Sequence, residues 1–249
     1  MKSLMIKAAK DAGKVLMKHY GKIKFVREKN KTSYFTNVDL ESEKVIISLI
    51  KKKFPKHNII SEESGNLGKK SDYIWYIDPL DGTHNYINNF PHFGVSIGLA
   101  YKGEMKLGVI DLPCFNEFYV AEKGKGALLN GKRLKVSNKK DVKRSFALTD
   151  LVYRHTPYGK IIFDKLLGKV YDIRLLGCAV SGYTMVANGI VDAYIVPYTC
   201  PWDVAAGALI VEEAGGKVTG HDGERWNPDN RKFVASNGKI HNQLLKIIK

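Results

Sequence analysis

Carboxylates gather where apolar runs end in this 249-residue chain. Tyr73-Ile74-Trp75-Tyr76-Ile77 reads as a buried strand, and it runs straight into Asp78-Pro79-Leu80-Asp81-Gly82-Thr83. Two unit charges about 4 Å apart repel by roughly 4 kcal/mol at an effective dielectric near 20. A cation turns that clash into a binding site, and hard cations such as Mg2+ take carboxylate, carbonyl and water oxygens. Pro79 fixes φ and removes a donor, which keeps the segment extended as it leaves the strand. Leu80 offers a backbone carbonyl between the carboxylates. Gly82 permits a sharp turn or a close backbone approach. Thr83 then opens a short segment whose free N–H groups, when helical, point at an anion. By itself Asp78-Pro79-Leu80-Asp81-Gly82 reads equally well as a surface turn; the buried strand before it shifts the reading toward a site.

More acidic groups stand at element ends. Glu62-Glu63 follow the short strand Asn58-Ile59-Ile60-Ser61, and alone they read as an exposed acidic turn. Asp203 opens a helix rich in small residues (Ala205, Ala206, Gly207), and Asp39 opens an earlier one; both suit the positive end of a helix dipole. His84, His92 and His221 have no partner pattern and read as structural or surface residues. Cys114, Cys178 and Cys200 are odd in number and lack metal-ligand spacing, which points to reduced thiols.

Residues 3–20 place Leu4, Ala8, Ala12, Leu16 and Tyr20 on one helical stripe. Residues 39–54 form a second amphipathic helix, with Ile46, Ile47, Leu49, Ile50 and Phe54 inward and Pro55 as its stop. Polar residues 27–37 between them read as a loop or hairpin. The runs 94–101 and 106–113 are joined by Lys102-Gly103-Glu104 as a hairpin, and 117–121 and 127–136 continue a meander. The first half therefore reads as two helices on a largely antiparallel sheet. Beyond residue 140 the pattern alternates: strands at 146–149, 170–175, 192–196 and 232–235, helices at 159–167, 178–188, 202–214 and 239–248. That alternation suggests an α/β half, so the fold class is α+β. Residues 1–140 and 141–249 form two halves of one continuous unit, with no long linker between them.

Taken together, Ser61-Glu62-Glu63-Ser64, Asp78-Pro79-Leu80-Asp81-Gly82-Thr83 and Trp202-Asp203-Val204-Ala205-Ala206-Gly207 resemble the three signatures of the inositol monophosphatase family. This is the Mg2+-dependent, lithium-sensitive sugar phosphatase superfamily that includes fructose-1,6-bisphosphatases. Thr36-Asn37-Val38-Asp39, Arg174-Leu175-Leu176-Gly177-Cys178-Ala179 and Asp192-Ala193-Tyr194 resemble further segments of it, and the resemblance covers nearly the whole chain. It implies a layered α-β-α-β-α fold with the site between the halves, and a homodimer. It also implies that Glu62, Asp78 and the Leu80 carbonyl hold one Mg2+ and that Asp78, Asp81 and Asp203 hold a second. Glu62 would reach a weaker third ion through water. Two such ions about 3.5–4 Å apart grip both oxygens of an in-line displacement. Thr83 paired with Asp39 would orient the attacking water, with Glu62 assisting. Gly82 and Thr83 N–H groups would bind phosphate, and Arg174, Gly177, Cys178, Ala179 and Asp203 would contact substrate. The Lys29-Asn30-Lys31 stretch resembles the family's mobile catalytic loop. Where animal-type members carry a glutamate after Asp-Ala-Tyr, this chain has Val196, which accepts no hydrogen bond from an inositol hydroxyl.

The implied activity is hydrolysis of a small polyol or sugar phosphate, inositol-1-phosphate or fructose-1,6-bisphosphate. A 3′-phosphoadenosine phosphate or histidinol phosphate phosphatase of the same superfamily is the alternative. Lysine and arginine exceed aspartate and glutamate by 40 to 25, a formal charge of +15, which attracts anions. The lysines are scattered and do not alternate with aromatics, so they read as a solvated surface and nucleic acid is not the expected partner. A non-catalytic, basic nucleic-acid-binding protein stays as the reading from another class; every ligand position being filled argues against it. No run approaches the ~20 apolar residues of a membrane span, and the first residues carry no apolar signal core, so a cytoplasmic protein is expected.

Overall fold

Met5, Ala8, Ala9, Ala12 and Leu16 recur at helical spacing, and helix α1 (Lys2–His19) buries that stripe. The computed structural model describes residues 1–23, 26–30, 33–68, 70–151, 156–227 and 230–249, with backbone only for 27–30 and 33. The polar stretch after α1 is a hairpin: β1 (Val26–Asn30) pairs antiparallel with β2 (Ser33–Thr36). Helix α2 (Asn37–Lys53) starts two residues before the expected position because Thr36 caps it. The Thr36 hydroxyl accepts the Val38 N–H at 3.0 Å, and the Asp39 carboxylate accepts the Thr36 N–H at 2.8 Å. This is a reciprocal capping box, which satisfies donors that a helix start leaves orphaned.

The next strands are β3 (Asn58–Ser61), β4 (Gly65–Asn66) and β5 (Tyr73–Asp81). A short helix α3 (Thr83–Ile87) then leads to the meander β6 (Gly94–Tyr101), β7 (Glu104–Leu112), β8 (Glu117–Glu122), β9 (Gly126–Leu129) and β10 (Lys132–Arg133). Among the described residues these strands form one eight-stranded sheet in the order β10-β9-β8-β7-β6-β5-β3-β4. It is antiparallel except between β3 and β5. The run expected at 127–136 is two short strands, β9 and β10, turned at Asn130-Gly131, where both residues have positive φ (48° and 83°).

The second half supplies β11 (Phe146–Thr149), α4 (Tyr158–Leu166), β12 (Asp172–Arg174), α5 (Ala179–Ala187), β13 (Ala193–Val196), α6 (Pro201–Glu213), β14 (Lys217–Gly220), β15 (Phe233–Ser236) and α7 (His241–Ile248). The second sheet runs β12-β11-β13-β15-β14. Strand β14 has no counterpart among the expected elements; Gly215-Gly216 ends α6, and the Lys217-Val218-Thr219-Gly220 run after it is too short to show a period.

Three apolar layers separate the elements. The first lies between α1, α2 and the large sheet, around Leu16, Ile46, Trp75 and Val95. The second fills the space between the sheets, where α5 and α6 pack through Tyr76, Ile110, Tyr183 and Leu209. The third lies under α4 and α7, around Ile162, Ile195 and Leu244. The result is the α-β-α-β-α stacking expected above. Among the described residues no helix is long and apolar enough to cross a membrane.

The inner layer depends on small residues. A Cβ on Gly98 would stand 2.8 Å from Ala205 Cβ, and one on Gly108 would stand 2.9 Å from the Ala206 carbonyl oxygen. Helix α6 therefore lies close against the sheet, and its first turn is brought to the C-terminal end of β5. The Ser96 hydroxyl fastens that turn by donating to the Trp202 carbonyl at 3.1 Å.

Candidate active site

Strand β5 aims its carboxylates by a register irregularity. Trp75 and Ile77 face the outer apolar layer and Tyr76 the inner one, so a period of two sends Asp78 inward. Asp78 pairs with Ser96 and Asp81 with Gly94, so three steps on β5 face two on β6. The extra residue is a bulge, and Pro79 has no N–H to continue the ladder. Leu80 is thereby returned to the outer layer, where it is fully buried. Asp81 comes back to the inner side, against α5. Gly82 follows with φ of +82°, and a Cβ there would meet the His92 carbonyl oxygen at 2.7 Å. Only glycine fits that turn.

Each aspartate gives an oxygen to the fold. Asp78 Oδ1 accepts the Leu80 N–H at 3.0 Å. Asp81 Oδ2 accepts the Val180 N–H at 2.6 Å and the Cys178 thiol at 3.2 Å, both from the start of α5. Asp203 Oδ2 accepts the Cys200 N–H and the Thr199 hydroxyl, each at 2.8 Å. The carboxyls of Glu62, Asp81 and Asp203 all lie close enough to Asp78 for their charges to act on it. Glu62 reaches this point because its N–H is bonded to the Ile77 carbonyl at 3.1 Å, one residue before Asp78.

Burial is the main reason that these carboxyls hold protons tightly. It pushes Asp78 well above the usual carboxylate range, and the charges of Glu62, Asp81 and Asp203 push it further. Burial raises Asp81 to about 7, with Asp203 adding to the shift. Asp203 is raised by burial too, against the opposing pull of its Cys200 and Thr199 donors. Carboxyls crowded together away from water are chemically suited to a divalent cation, which offsets their charge. Among the described residues no three His, Cys, Asp or Glu side chains form a closed ligand set.

Asp39 sits beside this cluster and performs two tasks. Its Oδ2 closes the α2 capping box, and its Oδ1 accepts the Thr83 hydroxyl at 3.1 Å. The same hydroxyl lies 2.9 Å from the Leu80 carbonyl oxygen. One proton serves one acceptor fully at a time, so Thr83 alternates between a carboxylate and a carbonyl. Burial raises Asp39 to about 6 in spite of its Thr36 bonds.

A cleft of ≈ 340 Å³ opens beside these groups, lined by Asp81, Asp203, Gly177, Cys178, Ala179 and Asp150 among others. Of the expected substrate contacts, Gly177, Cys178, Ala179 and Asp203 line this cleft. Arg174 does not line it. It lies exposed on the edge strand β12, hydrogen-bonded to Asp172 Oδ1 at 2.5 Å and set over the Phe146 ring. Of the expected catalytic loop, Lys31 and the side chains of Lys29 and Asn30 fall outside the described residues.

Two acidic residues escaped the sequence reading. Glu43 is 4% exposed on α2 and clamps the turn that carries Glu62. It accepts the Ser61 hydroxyl, the Glu63 and Ser64 N–H groups at 3.2 and 3.0 Å, and the Ser64 hydroxyl. The signal was available: Asp39, Ser42, Glu43, Ile46 and Ile50 share one buried helical stripe, and polar groups on such a stripe need partners. Asp150 ends strand β11 as Asp78 follows Ile77, the same strand-end pattern that singled out Asp78. His92 bonds the Ser181 hydroxyl at 3.2 Å and His221 bonds the Phe233 carbonyl at 3.1 Å, so both have structural partners.

The comparisons agree with this architecture along its full length. The model of the inositol monophosphatase family matches residues 1–249. A fructose-1,6-bisphosphatase/inositol-1-monophosphatase of Thermotoga maritima is 37% identical over 244 residues, which is 98% of this chain and 93% of that protein. The Nus factor SuhB of Pasteurella multocida is 39% identical over 254 residues, covering 100% and 95%. The solved inositol monophosphatase of Anabaena (Nostoc) sp. PCC 7120 superposes with a TM-score of 0.90 at 36% identity, over 99% of this chain and 94% of that one. A match that spans both sheets and every carboxylate-bearing turn leaves one assignment: the chain belongs to the inositol monophosphatase family.

Proposed function

We propose that this protein is a Mg2+-dependent phosphomonoesterase acting on a small polyol or sugar phosphate. The observation that carries the reading is the gathering of four carboxyls, in which buried Asp78 feels the charges of Glu62, Asp81 and Asp203, and in which Asp81 and Asp203 line a cleft. Glu62, Asp78 and the Leu80 carbonyl would hold one Mg2+, and Asp78, Asp81 and Asp203 a second. When bound, such ions neutralise the phosphate and make water nucleophilic near neutral pH.

The chain's own groups do the rest. The Thr83 hydroxyl, donating to Asp39, keeps its lone pairs free to accept a proton-bearing water and orient it. In that state the Leu80 carbonyl is released for an ion. Glu62, whose charge acts on Asp78, would assist. The Gly82 and Thr83 N–H groups, at the turn before α3, bind phosphate oxygens. Gly177, Cys178 and Ala179 form the wall against which the substrate's remaining part rests. No covalent intermediate is needed, because Cys178 is held as a thiol by burial and by the neighbouring Asp81 charge.

The test is phosphate release with and without Mg2+ from inositol-1-phosphate, fructose-1,6-bisphosphate, 3′-phosphoadenosine phosphate and histidinol phosphate. Asp203→Asn is expected to abolish most turnover; unchanged Mg2+-dependent turnover refutes the ligand assignment. The likeness to a protein named as a Nus factor, with the charge of +15, favours one second reading: a nucleic-acid-binding role on the same fold. Tight, steeply salt-dependent RNA binding without phosphate release is its signature.

A further inference from the structure

We infer that Asp150 is a specificity-determining residue, one that selects a hydroxyl-bearing polyol or sugar monophosphate over a substrate with a second anionic group. The inference rests on the phosphatase reading above. Asp150 closes strand β11 and faces the cleft that Asp81 and Asp203 also line. It is fixed from two sides. Oδ1 accepts the Gly177 N–H at 3.0 Å, and Oδ2 accepts the Tyr194 hydroxyl. Tyr194 itself is buried at the back of the cleft, so the carboxyl cannot turn away.

A carboxylate has about four lone-pair directions. The fold uses two of them here, and the others are available to donors inside the cleft. The charge of Asp150 is felt at Asp81, which puts it within electrostatic reach of the phosphate-binding end. Around it the wall is apolar or neutral, with Leu151, Leu175, Val196 and Thr199. Among the described residues that line the cleft none is Lys, Arg or His. A sugar or polyol hydroxyl can donate to Asp150 there. A second phosphate would meet a fixed negative charge that no described lining residue offsets. Val196 leaves its own position without an acceptor, and Asp150 supplies one from a different strand of the same sheet.

The experiment compares wild type, Asp150→Asn and Tyr194→Phe in Mg2+ with three substrates: myo-inositol-1-phosphate, fructose-1,6-bisphosphate and phenyl phosphate. For wild type, kcat/KM is expected to be at least ~10-fold higher for inositol phosphate than for the bisphosphate, because like charges are juxtaposed in the latter. Asp150→Asn is expected to raise KM for inositol phosphate by about 10- to 100-fold more than for phenyl phosphate, the loss of a hydrogen bond to a charged group. It should also narrow the gap to the bisphosphate. Tyr194→Phe, which keeps the charge and loosens its hold, should move the same ratios in the same direction by a smaller factor. Equal losses for inositol phosphate and phenyl phosphate in both variants would show a purely structural residue and overturn the inference. Phosphate release from none of the three substrates by wild type refutes the phosphatase reading instead, so the two failures are distinct.

Discussion

Glu43 is the clearest place to separate support from chemistry. Its Oε1 receives three donors (Ser61 Oγ, Glu63 N and Ser64 N), and its Oε2 receives one, Ser64 Oγ. Glu43→Gln keeps an acceptor for the first three, and the Ser64 hydroxyl can rotate to accept from the new amide. What is lost is the charge assistance, which is about half the strength of each bond. Glu43→Ala removes both acceptor oxygens and all four bonds. Ser64 is exposed and finds water, but Ser61 is fully buried and is left with a long 3.4 Å approach to the Ile77 carbonyl. One buried unsatisfied hydroxyl costs ~1–3 kcal/mol, and the freed turn adds to it. Urea denaturation should therefore rank wild type, Gln and Ala in that order, with Ala down by ~2–4 kcal/mol. The sharper assay is a Mg2+ titration of phosphate release. The turn held by Glu43 carries Glu62, and loss of such an outer partner usually weakens metal affinity or activity ~10- to 100-fold. Ala is expected to show a shift of that size in the half-activating Mg2+ concentration, and Gln a shift of a few-fold. A destabilised Ala variant with the wild-type Mg2+ requirement would falsify the clamp as a support for the site.

Thr83→Ala should lower kcat by more than tenfold with a small change in KM, because the hydroxyl orients water and not the ground-state ester; intact kcat in steady-state assays removes Thr83 from that role. Asp111, on β7 outside the site, should make stability fall with rising pH. Burial raises its carboxyl to about 7 against the attraction of Lys10, and a Cβ on Gly13 of α1 would come within 2.1 Å of its Oδ2. The native state therefore holds this proton more tightly than the unfolded chain does, and its contribution is complete below about pH 4 and lost as pH rises through about 7. Asp111→Asn should remove that component, on the order of 4 kcal/mol between pH 4 and 8 by urea denaturation; matching pH slopes for both proteins would exclude it.

Much of the fold was legible because its elements are long or strongly periodic. The stripe of α1, the strand 73–77 and the small-residue helix after Trp202 each carry one unambiguous pattern. Boundaries were set by side chains that periodicity does not see: Thr36 draws the start of α2 back to Asn37. Strand β14 was illegible for a different reason. It forms only because β15 lies beside it, a long-range pairing with no local trace.

The candidate carboxylates were legible in the sequence and what orients them was not, and the physical reason is the same at each helix start. Asp39 and Asp203 are both third residues of their helices, and both close capping boxes with the residue before the helix. A capping carboxylate looks the same in sequence whether or not its second oxygen has chemistry to do. The fold decides by what it packs against that oxygen: Thr83 at Asp39, and Asp78 at Asp203. Glu43 and Asp150 are the converse case. Their stripe and strand-end positions could be read, but their partners, backbone N–H groups and hydroxyls from turns far away in the chain, could not. Caps thus supply the rigid half of each carboxylate, and tertiary packing supplies its function. That division explains why a single helix start, brought up against the β5 bulge by Gly98 and Gly108, completes a cluster whose other members come from residues 62–81.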